Sequence, residues 1–111
     1  MTETEFLNHV NQAWQRIESI VDQWAEQQDV DVESNRSGPV LEIEFDSGAK
    51  IVVNAQTPMQ QIWLASPAGA FHFRWNDPAW VDTRNDAEFW QVFHEQAQML
   101  AGQTLPSPNA S

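Results

Sequence analysis

The hydrophobic period of this chain changes twice along its length, and that restricts the folds open to it more than any other feature. Phe6, Val10, Trp14, Ile17, Val21 and Trp24 recur every three or four residues, one stripe of an amphipathic helix. Thr2, with Glu5 three positions on, forms a capping box at its start, and the pattern dissolves in Glu26-Gln27-Gln28. The period then becomes two. Asp29-Val30-Asp31-Val32-Glu33 alternates without a break, and Leu41, Ile43 and Phe45 share one face of a second strand with Glu42 and Glu44 on the other. The turn-rich stretch from Ser34 to Pro39 separates the two.

Asp46-Ser47-Gly48 makes the next turn, into a strand from Lys50 to Asn54. Further strands are predicted at Gln61–Ala65 and Phe71–Trp75, with a short edge strand at Trp80-Val81. In the Phe71–Trp75 strand three aromatics turn inward and His72 and Arg74 outward. The helical period returns with Phe89, Val92, Phe93, Ala97 and Leu100, capped by Asn85 and Glu88 and stopped by Gly102. The reading is one α+β domain over residues 1–102, in which two terminal helices cover one face of an antiparallel sheet of five to six strands. Gln103 to Ser111, polar and carrying Pro106 and Pro108, is expected to be a flexible tail.

Charge and composition remove several functional classes. The chain has no cysteine, which excludes a disulfide scaffold, a thiolate zinc site, a cysteine-ligated cluster and a cysteine nucleophile. A net charge of -11 opposes nucleic-acid binding and adhesion to anionic membranes, and favours metal cations or a partner with a basic face. The acidic Met1–Glu5 start is unlike a signal or transit peptide and no apolar run is long enough to span a bilayer, so a cytoplasmic location is expected.

The acids are gathered at one end: residues 1–33 hold eight of them against a single base, Arg16. Glu18, Asp22 and Glu26 lie four apart along one side of the first helix, and Asp29, Asp31 and Glu33 project from one face of the strand that follows. If that strand packs beside the helix, the six carboxylates form one ridge. Such an arrangement costs stability, because like charges four apart repel and acids in a last turn oppose the helix dipole. Hard carboxylate oxygens suit iron, calcium, magnesium or manganese, held weakly in open, solvated sites. The alternative is a solvated acidic face that holds no metal.

A second feature lies between Asn54 and Pro67. Gln61, Trp63 and Ala65 share one strand face and Ile62 and Leu64 the other. Either Trp63 stands on the helix-free face as an anchor for a partner, or Trp63 is a core residue and Ile62 is exposed; local alternation is compatible with both. His9, His72 and His94 form no short-spaced ligand pair or nucleophile motif, and no glycine-rich phosphate loop is present. His9, on a polar side of the first helix, is a further nitrogen donor near its start.

Asn54, Gln56, Pro58, Gln61, Trp63 and Leu64 follow an acidic helix carrying Trp14 and Trp24. With Asp29-Val30-Asp31, Gly48 and Lys50, Trp80 and Phe89-Trp90, they make the chain from Phe6 to Gly102 similar to the frataxin family, in its bacterial form. That resemblance implies two helices on an antiparallel sheet. It also implies a non-enzymatic regulator of iron-sulfur cluster assembly that binds ferrous or ferric iron weakly, docks on the cysteine desulfurase IscS and tunes delivery to the scaffold IscU. An iron chaperone or storage protein, with oligomers that grow with iron in place of a monomer, is the alternative. Carried over by position, the metal ridge is Glu18, Asp22, Glu26, Asp29, Asp31 and Glu33, with Glu3, Glu44 and Asp46 as further candidates. The implied partner surface is Asp22, Asp29 and Asp31 together with Asn54, Gln61, Trp63 and His72. The chain departs from the family where Ser19, Gln23, Ala25 and Gln27 thin the ridge, where Arg16 sits a turn above it, and at Gly38-Pro39 in the first hairpin.

Overall fold

The computed structural model describes residues 1–107 and runs helix, six strands, helix. Helix α1, Glu3–Gln27, starts on the expected capping box: the Thr2 hydroxyl accepts from the Glu5 N–H at 3.1 Å and the Glu5 carboxylate from the Thr2 N–H at 3.0 Å. Its stripe from Phe6 to Trp24 is buried throughout. The helix closes without glycine. Asp29 takes the left-handed conformation at φ 55°, which a short polar side chain tolerates, and the Val30 N–H turns back to the Trp24 carbonyl at 3.3 Å.

Six strands follow: β1 Val32–Ser37, β2 Val40–Phe45, β3 Lys50–Gln56, β4 Gln61–Ser66, β5 Gly69–Asn76 and β6 Ala79–Asp82. Each pairs antiparallel with the next, so the sheet is a meander in chain order with β1 and β6 at its edges. A one-turn 3-10 helix, Thr57–Met59, joins β3 to β4. Helix α2, Phe89–Ala101, ends where Gly102 supplies a φ of 69°. Both helices lie on the same face, α1 against β1 and α2 against β6 and β3. Between the layers, Leu41, Ile43, Ile51, Val53, Ile62, Leu64 and Phe73 meet Phe6, Trp14, Ile17, Phe89 and Phe93, each at most 2% exposed. This is the expected two-layer α+β sandwich.

Three sequence expectations shift in position. The first strand is not Asp29–Glu33: it begins at Val32 and continues through Ser34, Asn35, Arg36 and Ser37, read above as a turn. Its polar side chains give no alternation signal, yet its backbone is held in register against β2, from Val32 opposite Phe45 to Ser37 opposite Val40. The hairpin loop shrinks to Gly38-Pro39, with Gly38 at φ 58° providing the twist a two-residue loop demands. The cap of α2 is Glu88 alone, accepting from the Trp90 N–H at 3.0 Å, while Asn85 closes its own turn onto the Ala87 N–H. Of the segment expected to be a flexible tail, Leu105 is 2% exposed. The Gln98 side chain accepts from its N–H at 2.9 Å, and His94 Nε2 lies 2.7 Å from its carbonyl. One buried leucine and two side chains a turn apart on α2 hold the chain there. Residues 108–111 of that segment lie outside the described residues.

Candidate functional site

The core stripe of α1 divides its exposed surface into two edges. On the edge toward β1 stand Asn11, Glu18 and Asp22; on the edge toward α2 stand His9, Gln12 and Arg16. The acids fall on the first edge because they are spaced by four. Arg16 points away from them, its guanidinium 4.3 Å from the centre of the Trp90 ring, so it does not interrupt the acidic side.

Glu18, Asp22, Glu26, Asp29 and Asp31 follow one another along the C-terminal part of α1 and the turn into β1, with Asp22, Glu26, Asp29 and Asp31 exposed. Glu18 is engaged. Arg36, on the inner side of edge strand β1, reaches across to it at 2.8 Å and donates to the Asn11 side-chain Oδ1 at 3.1 Å. Arg36 lies in the stretch read from sequence as a turn, and no periodicity marks it as the counterion of Glu18. Asp29 and Asp31 line one side of a depression of about 340 Å³, and Asp46, from the β2–β3 turn, lines another together with Ser47 and Gln103. Glu33 is set apart from this group. Val32 faces the core, so Glu33 faces the other side of the sheet, opposite Glu44. Glu44 in turn lies opposite Lys50 in the β2–β3 register, and the Lys50 ammonium approaches Glu42 at 3.7 Å. Glu3 sits at the far end of α1.

The six ridge candidates therefore spread over a band, with Glu33 around its corner. Among the described residues no three His, Asp or Glu side chains converge as a metal-holding group. Ions fit this donor set through one or two carboxylates with most of their water retained, which is weak binding. Beyond the Glu18–Arg36 pair, the helix itself does not offset the band: the last turn of α1 carries no basic residue.

The face of the sheet away from the helices carries the second set of candidates, and the register orders it in rows. Val40, Asn54, Trp63 and His72 lie side by side across β2, β3, β4 and β5; Gln56, Gln61 and Arg74 form the next row. Ile62 and Leu64 are fully buried on the helix side, so Trp63 stands on the open face, partly exposed. The indole is held in place twice. Its Nε1–H donates to Gln61 Oε1 at 2.8 Å, and its ring stacks on His72 at 4.3 Å between centroids and 12° between planes. An aromatic with a fixed rotamer, ringed by amides and an imidazole, loses little entropy when covered by a partner. Asn54, Gln61, Trp63 and His72 are thus brought together, whereas His9 is remote from the acidic band, stacked on Trp75 at 3.9 Å. Among the described residues no helix is long and apolar enough to cross a membrane.

The Glu5 carboxyl, in the capping box of α1, lies outside both surfaces. The Thr2 N–H, then the Thr2 side chain, hold Glu5 below the ordinary glutamate range.

Comparison with known proteins agrees with this geometry. The frataxin-like domain model matches residues 1–103. Proteins named iron-sulfur cluster assembly protein CyaY from Bordetella petrii and Bordetella avium are 52% and 44% identical to this chain. They cover 92% and 95% of it, and 94% and 96% of their own lengths are matched. The frataxin structure from Psychromonas ingrahamii superposes with a TM-score of 0.84 at 28% identity, covering 95% of this chain and 96% of that one. Family model, relatives and fold coincide: the chain belongs to the frataxin family, in its CyaY branch.

Proposed function

We propose that this protein is an iron-responsive regulator of iron-sulfur cluster assembly. In this reading it has no active site of its own, works in the cytoplasm and docks on the cysteine desulfurase IscS next to the scaffold IscU. The relatives' names place them in cluster assembly, and the observation that carries the finer reading is the acidic band. Its carboxylates are concentrated on one edge of α1 and the turn after it, without a basic residue in the last turn and without converging on a chelate. A surface of this kind attracts a basic partner and holds cations loosely.

Asp22, Asp29 and Asp31 then supply the charge that steers the protein onto basic side chains of the desulfurase, where arginines take carboxylates two-pronged. Asn54, Gln61, Trp63 and His72 supply a pre-arranged contact for the scaffold side. Iron is cargo and signal here. Ions held by Glu18, Asp22, Glu26, Asp29, Asp31 and Glu33 neutralise part of the band, and docking weakens as they bind. Because Glu18 shares its carboxylate with Arg36, it contributes least to either role.

The test is an amide NMR titration of the protein, once with ferrous iron under nitrogen and once with the desulfurase. Perturbation of Asp22 to Asp31 by both supports the reading, and the triple variant Asp22→Lys, Asp29→Lys, Asp31→Lys then loses docking while remaining folded. Iron shifts with no response to the desulfurase, accompanied by oligomers that grow with iron, turn the assignment to iron delivery or storage.

A further inference from the structure

The two edges of the sheet are finished differently. Beyond β6, Val81 bridges to Glu88, so the chain entering α2 lies against that edge. Among the described residues β1 pairs with β2 alone, in unbroken register from Val32 to Ser37. Such a strand offers its outward N–H and C=O groups as a template for another, and proteins commonly blunt it with lysine, proline or a bulge. β1 has none of these, and its one cation, Arg36, is turned in to Glu18 at 2.8 Å. The flank of α1 beside this edge is graded. Leu7, Asn11, Glu18 and Asp22 follow one another along it. Leu7, 44% exposed, borders a mostly apolar depression of about 260 Å³ with Val10, Trp14, Gly38 and Pro39, at the Ser37 end of β1. Arg36 touches both Asn11 and Glu18, so β1 runs back along the helix and its Val32 end lies toward Asp22. At that same end Glu33 is exposed on the open face of the sheet. The edge therefore has an apolar recess by Ser37 and carboxylates on both faces by Val32.

We propose that β1 takes up an extended basic segment of a partner protein as a seventh, antiparallel strand. Hydrogen bonds to the outward groups of β1 supply affinity, and side chains on alternate faces supply specificity. Antiparallel order is favoured because its pairing is the more stable per residue. In that order a residue opposite Arg36 lies beside the Leu7 depression, which Arg36 also lines. Residues opposite Ser34 and Glu33 fall on the two faces, beside Asp22 and Glu33 respectively. The segment recognised is thus an apolar residue, a spacer and two adjacent basic residues. Charge selects this occupant over a second copy, because two β1 strands side by side bring two acidic bands together in a chain of net charge -11. The site rests on the reading given above, that the acidic band meets a basic partner, and adds to it the backbone edge by which that partner is held.

The probe is the end-capped peptide Thr-Leu-Thr-Arg-Arg-Val, titrated into the labelled full-length protein and followed by amide NMR and hydrogen exchange. Saturable binding is expected, with a dissociation constant on the order of 1 mM. Exchange should slow at alternate amides between Val32 and Ser37 and stay unchanged along β6. Two further peptides carry backbone N-methyl groups, one on its odd residues and one on its even residues. Neighbouring residues of a strand turn their N–H groups to opposite edges, so one pattern removes the bonds to β1 and the other spares them. One methylated peptide should therefore bind roughly tenfold more weakly or worse, and the other within about twofold of the parent. The peptide with both arginines replaced by glutamate should not bind, and its binding as tightly as the parent overturns the choice of a basic partner. Equal binding of the two methylated peptides, with the acidic band still perturbed, overturns strand addition and leaves the charge reading of the band standing. Absence of saturable binding by the parent peptide also overturns strand addition, and the desulfurase titration then decides the band reading on its own. Outward β1 amides already protected in the free protein, by a second copy or by the chain itself, overturn it as well.

Discussion

Replacing Glu26 by lysine should make this protein more stable, and the same replacement at Glu18, two turns earlier on the helix, should make it less so. Glu26 is exposed in the last turn of α1, where no basic residue offsets the helix dipole, and it sits four residues after Asp22. Removing an acid from that position relieves about 0.3–1 kcal/mol, and a cation there gains a similar amount. The pairing with Asp22 changes from repulsion to attraction, about 0.2–0.5 kcal/mol each way, in the favourable order with the acid N-terminal. At physiological salt, on a solvated surface, the lower part of the combined range applies, a gain of about 1–1.5 kcal/mol. At roughly 4 °C per kcal/mol for a chain of this size, Tm should rise by about 4–6 °C. Glu18 differs because of Arg36. Both side chains are about one-third exposed at 2.8 Å, so Glu18→Lys forfeits an ion pair worth up to about 1 kcal/mol and sets two cations against each other. Relief of the repulsion between positions 18 and 22 offsets part of that loss, so its Tm should fall by no more than about 4 °C. Thermal melts by circular dichroism at low and at 0.5 M salt read both values, and both shifts should shrink with salt. A Tm for Glu26→Lys that does not rise, or variants at 18 and 26 that respond alike, would refute the account of the band as a stability cost concentrated at the end of α1.

Other expectations follow from burial and hydrogen bonding. Trp63→Ala should cost no more than about 1.5 kcal/mol, the value of its stacking on His72, whereas Leu64→Ala, one residue on and fully buried, should cost about 2–5 kcal/mol in urea denaturation. Leu105→Ala should also cost about 2–5 kcal/mol, and a loss below 0.5 kcal/mol, roughly that of a surface change, would show that this leucine does not anchor the chain after α2. Glu5 is held below the ordinary glutamate range in the folded state, so its contribution to the capping box is complete above the unfolded pKa and lost as pH falls through the folded one. The Thr2 amide signal should follow that titration at a midpoint below the ordinary glutamate value, and should lose it in Glu5→Gln.

Much of the architecture was local and therefore legible. The stripe from Phe6 to Trp24, the alternation of Leu41, Ile43 and Phe45, and the stop at Gly102 each follow from how a backbone period places apolar groups on one side, which a linear pattern records directly. The capping box of Thr2 and Glu5 spans four residues and is equally readable. The concentration of acid on one edge of α1 is likewise a matter of spacing.

What the tertiary structure decided are the relations between segments far apart in sequence. Alternation in β4 leaves two assignments for Trp63, and helices packing over Ile62 and Leu64 select one. The polar run Asn35-Arg36-Ser37 has no apolar period, yet becomes strand because the β2 backbone offers it hydrogen-bond partners, and that brings Arg36 to Glu18 across eighteen residues. Leu105 carries no periodic signal at all and is buried by the helix before it. The same long-range placement gathers His9 and Arg16 with three tryptophans from later in the chain. A sequence specifies periods through the local geometry of the peptide, but which faces meet is set by the burial available to the whole chain, and that sum exists only once the layers have packed.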